Sequence, residues 1–241
     1  MEAIYRSEWQ GVWALLPVPA LFLAWALTAG RGKAAAGGDA RFVWRYAVCF
    51  AALTLLDPVA GGPLSRWLGL PAGVVTGIAF GFVLLGDFRV FALVFGLADS
   101  RRGYLARAAA FSLIVPLLDL VLFFGLLRTA WPAAPGPWMW LIHELAFVAL
   151  ALWLRGSRLP ALASPEPAGH RAYLRRALAY AASYYALWAA ADVLILAGVE
   201  AGWGLRIVPN QLYYAFWVPF AFFSFPFSEP RADLASAPTS R

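Results

Sequence analysis

Long, uninterrupted runs of hydrophobic residues alternate with short polar segments along this chain. A helix of about 20 apolar residues crosses the hydrocarbon core of a bilayer. Seven runs reach that length, at 9–29, 42–60, 71–98, 107–127, 136–154, 174–198 and 207–227. They lack the two-residue alternation of barrel strands. The pattern predicts an all-α, polytopic bundle of seven transmembrane helices within residues 1–228 and a short tail, 229–241, without fixed structure.

Composition agrees with a membrane protein. Hydrophobic residues make up 62% of the 241 residues and charged residues 13%, whereas a soluble domain carries roughly 25% charged residues. Too little polar surface exists to cover a water-facing globule, so the lipid bilayer is the expected partner. The net charge of +6 is not gathered into a basic segment with interleaved aromatics, so no nucleic-acid partner is expected. Nothing in the sequence indicates an oligomeric state.

Basic residues predict how the bundle is oriented. Fourteen of them flank one set of loops and the tail, and four flank the other set, namely Arg6, Arg66, Arg128 and Arg206. Positive residues accumulate on the cytoplasmic side, so the N-terminus is expected outside and the C-terminus in the cytoplasm. Abundant Ala, Gly, Pro and Arg beside a single lysine are typical of a GC-rich bacterial genome, which favours a bacterial inner (plasma) membrane.

Ionisable residues interrupt the apolar runs. A charge inside a transmembrane helix is costly and usually faces the bundle interior or a cavity. At 1.5 Å per residue from the inner basic residues, Arg89, Asp119 and His143 lie roughly 18 Å deep, and Asp192 lies roughly 24 Å deep. The sequence therefore predicts one polar layer near mid-membrane, drawn from Asp57, Asp87, Arg89, Asp119, His143, Glu144 and Asp192.

The polar layer holds more acidic than basic groups. Five carboxyl groups face one arginine and one histidine, and they cannot all be ionised in a dry core, because desolvation and like charges disfavour the ionised form. Some are protonated, or the layer holds water, or a bound cation completes the charge balance. Tyr185 and Trp188 share a helical face with Asp192, which resembles a pocket wall.

Structural roles compete with these functional ones. Arg89 paired with Asp119 or Asp87 would fix helix register, and Asp57 before Pro58 would lie where the second helix ends near the headgroups. Gly73, Gly77 and Gly81 form overlapping G-x-x-x-G steps on the third run, which predict a close helix–helix contact.

Several chemistries are not expected. The only lysine, Lys33, lies in a predicted loop, so a retinal Schiff base on the last helix is excluded. Two histidines, His143 and His170, are too few for a three-histidine zinc hydrolase, and the first of them alone lies within a span, which excludes intramembrane bis-histidine haem ligation. No metal or cofactor is therefore predicted.

Two short stretches resemble known intramembrane enzymes. Leu85-Gly86-Asp87 resembles the Gly-Asp of intramembrane aspartate hydrolases. Asp192-Val-Leu-Ile-Leu, followed by Leu212-Tyr213-Tyr214, is similar to the late segments of lysoplasmalogenase-type proteins, which implies a mechanism with two aspartates. The resemblance covers a small part of the chain, and the eighth helix and early Lys-Pro of that family have no counterpart, so no family is assigned.

Three functions remain open, with a non-enzymatic role favoured. The first is binding or transport of a proton, a cation, an amine or a lipid headgroup at a site reached from the outer side and formed by Asp87, Arg89, Asp119, His143, Glu144, Tyr185, Trp188 and Asp192. The second is an intramembrane lipid hydrolase or lipid-modifying enzyme in which Asp87 and Asp192 act as general acid and base. The third is a scaffold or membrane partner whose buried charges only hold its helices in register.

Overall fold

The computed structural model describes residues 1–98, 103–159 and 168–227, and their secondary structure is helical, without a strand. Six helices are long and apolar enough to cross a membrane: α1 (Trp9–Leu27), α2 (Gly38–Trp67), α3 (Ala72–Ala98), α4 (Tyr104–Ala130), α5 (Pro137–Arg158) and α6 (Gly169–Leu196). The all-α class is thus confirmed, together with six helices that could cross a membrane, whereas the count of seven and the orientation stay predictions. The predicted tail, like Arg101 and Arg102, lies outside the described residues.

The seventh apolar run forms a shorter helical segment, α7, at residues 207–223. It consists of three consecutive pieces, Ile207–Asn210, a wide-turned Gln211–Phe216 and Trp217–Phe223. The last piece of α7 ends at Phe223, before Pro226. Short helices at Glu2–Tyr5 and Ala201–Leu205 and a 3-10 segment at Ala29–Ala36 connect or precede the long helices.

The second helix continues past Asp57, so the prediction that it ends there was wrong. Proline removes a backbone hydrogen bond, and α2 accommodates Pro58 and Pro63 by opening into a wide turn at Ala60–Leu64 before it resumes at Ser65–Trp67. The Ser65 hydroxyl donates to the Ala60 carbonyl across this turn. Asp57 therefore stays inside the helix, where its side chain is partly buried.

The core lies where α2, α3, α5, α6 and α7 meet. Trp217 of α7 is fully buried and donates to the Tyr46 hydroxyl (2.8 Å), which in turn donates to the backbone carbonyl of Arg89 (3.0 Å). Phe147 of α5 stacks on Tyr185 of α6, with ring centroids 3.9 Å apart. These contacts join α7 to α2 and α3 and join α5 to α6.

The close approaches on α3 occur at Gly86 and Gly96, not at the glycine stripe that the sequence indicated. A Cβ built at Gly73, Gly77 or Gly81 would meet no atom within 4 Å, because the first half of α3 lies outside the packed core. A Cβ at Gly86 would overlap the Tyr213 hydroxyl. Gly86 therefore allows the Tyr213 ring of α7 to lie against the α3 backbone.

We expect Gly86→Ala to lower the stability of the protein. Overpacking a tight contact typically costs about 1–3 kcal/mol, and the Tyr213 ring is buried and cannot move aside freely. Thermal unfolding in detergent micelles measures the effect. Gly81→Ala is the matched control, which should be neutral or slightly stabilising, since alanine favours a helix. Adding Tyr213→Phe to Gly86→Ala should recover part of the loss, and equal melting temperatures for the two single variants would contradict this contact.

Candidate ligand-binding site

A cavity of about 320 Å³ lies between α3, α5, α6 and α7, a volume within the usual range of small-molecule sites. Six aromatic side chains form much of its wall: Tyr5, Trp140, Tyr185, Trp188, Tyr213 and Tyr214. Polar groups complete the wall: Asp57, His143, Glu144, Arg206 and Asn210. Buried polar groups therefore face an aromatic enclosure inside the bundle.

His143 connects three helices beside this cavity. Its Nδ1 lies 2.6 Å from Asp119 Oδ2 of α4, and its Nε2 lies 3.4 Å from Asp87 Oδ2 of α3. The Tyr185 hydroxyl of α6 donates to the other oxygen of Asp87. These four side chains are all buried. They form a continuous polar chain from α4 through α5 and α3 to α6.

Arg206 forms ion pairs with two acidic side chains, next to the chain of polar groups around His143. Its Nε lies 2.8 Å from Asp192 Oδ1, and one terminal nitrogen donates to Asp192 Oδ2 at 2.9 Å and to Glu144 Oε1 at 3.5 Å. The Arg206 side chain is only 12% exposed, and that of Asp192 is fully buried. Because His143 and Glu144 are neighbours on α5, the two charged groups meet at the cavity wall.

Arg89 lies apart from both groups, so the alternative in which it pairs with Asp87 or Asp119 is not the one that the structure shows. Residues two positions apart on a helix point to different faces, which separates Arg89 from Asp87. Its guanidinium donates to Thr54 Oγ1 (3.3 Å) and to the Tyr213 carbonyl (2.6 Å), and it lies 4.0 Å from the centre of the Tyr213 ring. It borders a separate small cavity.

The structure brings most of the sequence-predicted site residues together, in two layers. His143, Glu144, Tyr185 and Trp188 line the cavity. Behind them, Asp87 and Asp119 contact His143, and Asp192 contacts Arg206. Asp57 also reaches the cavity, whereas Arg89 does not.

The sequence did not identify Arg206 as a site residue, because the distribution of basic residues predicts that it flanks an outer loop. Arg206 and Asn210 are four residues apart, and Tyr213 and Tyr214 follow three and four residues later, so all of them share one face of the α7 segment. That spacing, together with the excess of buried carboxylates, is a signal that could have identified Arg206. Trp188 fixes the orientation of Asn210 by donating to its Oδ1 at 2.9 Å.

Acidic groups outnumber basic ones around the cavity. Asp87, Asp119, Glu144 and Asp192 surround Arg206 and His143. Glu144 Oε2 and Asp119 Oδ1 are buried and have no hydrogen-bond partner among the described residues. In that part of the chain, no group of three His, Cys, Asp or Glu side chains is arranged to hold a metal ion.

No family model, characterised protein or solved structure matches this chain. The ligand that the cavity could bind is therefore inferred from the side chains that line it. Its wall combines a carboxyl group that lacks a full set of partners, an arginine and a histidine that are engaged by other carboxyl groups, and six aromatic rings.

We expect Arg206→Gln to destabilise the protein strongly. The substitution leaves Asp192 buried without a counter-charge, and removing one partner of a buried ion pair costs about 3–5 kcal/mol. Thermal unfolding in detergent micelles is the measurement. Arg128→Gln, which removes an exposed arginine, is the control and should change stability by about 0.5 kcal/mol or less.

The double variant Arg206→Gln with Asp192→Asn should recover much of that loss, because neither member then leaves a charge uncompensated. Equal stabilities of the Arg206→Gln and Arg128→Gln proteins would show that the buried pair does not hold α6 to the α7 segment.

Proposed function

We propose that this protein binds a small cation of the ammonium class in the cavity between α3, α5, α6 and α7, within the membrane. The observation that carries the proposal is Glu144. Its side chain lines the cavity, one of its oxygens lies 3.5 Å from Arg206, and the other has no hydrogen-bond partner among the described residues. A buried carboxylate without a full set of partners is costly, and a bound cation removes that cost.

The charge balance of the site favours a cation over an anion. Arg206, the basic group in the wall that an anion would need, is engaged by both oxygens of Asp192. Even with His143 protonated, two positive groups face the four carboxyl groups Asp87, Asp119, Glu144 and Asp192. An anion would add to this negative excess, whereas a cation would reduce it.

The aromatic wall favours an ammonium group over a small hydrated ion. Ammonium groups are attracted to the faces of Trp and Tyr rings within about 6 Å, most strongly where water is excluded. Trp140, Trp188 and Tyr185 lie in the same wall as Glu144. A ligand with one positive end and an apolar body would match both parts of this wall.

The ligand would enter from the end of the bundle that carries Tyr5. A more open cavity of about 410 Å³ shares Tyr5, Asp57 and Asn210 with the ligand cavity, and the exposed residues Arg6 and Glu8 contribute to its wall. The two cavities together form a route from the surface to Glu144. The same route would serve transport if the inner end of the bundle opened in turn.

A hydrolytic role for the same cavity is the second candidate, and the contact between His143 and Asp119 favours it. A histidine whose Nδ1 is held by a carboxylate can accept a proton from water at its other nitrogen; in His143 that nitrogen lies 3.4 Å from Asp87 Oδ2, so a water would have to replace this contact. Asp87 and Asp192 support this role less well than the sequence suggested, because the former contacts Tyr185 and His143 and the latter contacts Arg206.

We infer that α7 is a seventh span, with the N-terminus outside and the C-terminus in the cytoplasm of a bacterial inner membrane. Trp217 and Phe222 of α7 pack in the core of the bundle, and Ala201–Leu205 extends the helical path toward the outer end. The distribution of basic residues supports this orientation.

A topology assay in a bacterial host tests the seventh span. Green fluorescent protein fused after residue 241 should fluoresce, because it folds in the cytoplasm, and an epitope before residue 1 should be cut by protease added to intact spheroplasts. Six crossings would put both ends on one side of the membrane, so a protected epitope together with a fluorescent fusion would contradict the proposed topology.

Calorimetric titration of the purified protein in dodecyl maltoside tests the ligand class. Choline serves as the cationic probe, and 3,3-dimethylbutan-1-ol is its uncharged isostere. We expect choline to bind and the alcohol not to, because the positive charge carries the interaction. Glu144→Gln should weaken choline binding about tenfold or more, because it removes the negative charge that would pair with the ammonium group at a buried site. Uptake of labelled choline into proteoliposomes would add transport to binding.

Glu200→Gln is the matched control, since this carboxylate is exposed and lies outside the cavity wall, and it should leave choline binding unchanged. Equal binding of choline and the alcohol, or unchanged binding in Glu144→Gln, would contradict the proposal. Release of fatty acid from added phospholipid, lost in His143→Asn, would instead support the hydrolytic candidate.

A further inference from the structure

A second large cavity, of about 560 Å³, forms a groove at the other end of the bundle, between the first half of α2, the middle of α3 and the start of α4. None of the residues that line it also lines the 320 Å³ cavity. Gly38 and Tyr104 mark the end near the predicted inner loops, and Leu53 and Leu85 mark the end near mid-bundle. This groove needs a separate explanation.

The groove is basic at one end and apolar along the rest. Arg41 and Arg45 lie one helical turn apart and line the same groove. Beyond them the walls are formed by Cys49, Phe50, Leu53, Leu85, Phe88 and Ala92. Counted along α2, the distance from Arg41 to Leu53 is about 18 Å, which is close to the thickness of one leaflet of a hydrocarbon core of about 30 Å.

Arg41 and Arg45 have no partner within residues 1–98, 103–159 and 168–227. Both are exposed, and neither makes a hydrogen bond or an ion pair with the described residues. Two guanidinium groups one turn apart repel each other, and their planar donor pairs match the oxygens of a phosphate. An anion between them would satisfy both at once.

We propose that this groove is a binding site for one anionic phospholipid, with the phosphate between Arg41 and Arg45 and an acyl chain along α2 and α3. A soluble phosphate would use the arginines but not the apolar walls, and a zwitterionic lipid would use the walls but would not neutralise two positive charges. Basic pockets between transmembrane helices bind anionic lipid headgroups in this way. Leu105, at 53% exposure, and Cys49 leave the side of the groove open, so a lipid could enter from the bilayer.

Mass spectrometry of the intact protein–lipid complex tests the site. The full chain, purified in detergent, is mixed with equal amounts of phosphatidylglycerol and phosphatidylcholine, and the retained lipids are counted. The wild type should retain one phosphatidylglycerol molecule in preference to phosphatidylcholine. Arg41→Gln with Arg45→Gln should reduce that preference by about 30-fold, since each basic residue near an anionic surface contributes roughly fivefold.

Two further variants test the contributions of the basic end and of the apolar part of the groove separately. Arg31→Gln with Arg158→Gln removes two exposed arginines at the same end of the bundle that do not line the groove, so the preference should persist. Cys49→Trp fills the apolar part from an exposed position and should reduce retention of both lipids to background. Melting temperatures close to that of the wild type would show that all three variants are folded.

Three results would each overturn the proposal. The first is equal retention of both lipids by the wild type. The second is an equal loss of preference in both double-arginine variants, which would indicate diffuse attraction to the basic face. The third is full displacement of the lipid by an equal concentration of glycerol phosphate, which would mean that the arginines bind phosphate without the acyl chain. None of these results bears on the cation site.

Discussion

Burying ionised side chains in a bundle that lies in lipid is possible only where opposite charges and hydrogen bonds replace the lost water. This constraint governs the arrangement of the helices. Arg206 compensates Asp192 and reaches Glu144, and His143 bridges Asp119 and Asp87. Helices α3, α4, α5 and α6 and the segment before α7 each contribute to one of these two groups, so the charges fix their relative positions.

The same arrangement creates the site. Arg206 and His143 are both engaged by carboxylates behind the cavity wall, and Glu144 Oε2 in the wall has no partner among the described residues. Aromatic rings line the same wall, and the faces of such rings attract an ammonium group. Under the proposed function, stability and ligand recognition would depend on the same residues, so a variant at this site must be tested for both.

The sequence predicted the long apolar helices better than it predicted the partners of the buried charges. Apolar length is a local property, and it identified six helices that are long and apolar enough to cross a membrane. The direction in which a side chain points depends on packing, so the sequence left the partner of Arg89 open. The role of Arg206 was not predicted because Arg206 lies just before an apolar run in the sequence. Its ion pair with Asp192 forms only in the folded structure. The predicted helix–helix contact at Gly73, Gly77 and Gly81 was wrong for the same reason, since spacing alone cannot show which face of α3 packs against a neighbouring helix.

The most direct test of the cation site locates a bound ligand by the anomalous scattering of bromine. Crystals of the protein are soaked separately with (2-bromoethyl)trimethylammonium and with 3-bromopropionate, which carry opposite charges and one bromine each. The account predicts a bromine peak within the cavity for the ammonium compound, with its positive end beside Glu144, and no peak there for the carboxylate. A peak for 3-bromopropionate beside Arg206, with none for the ammonium compound, would contradict it.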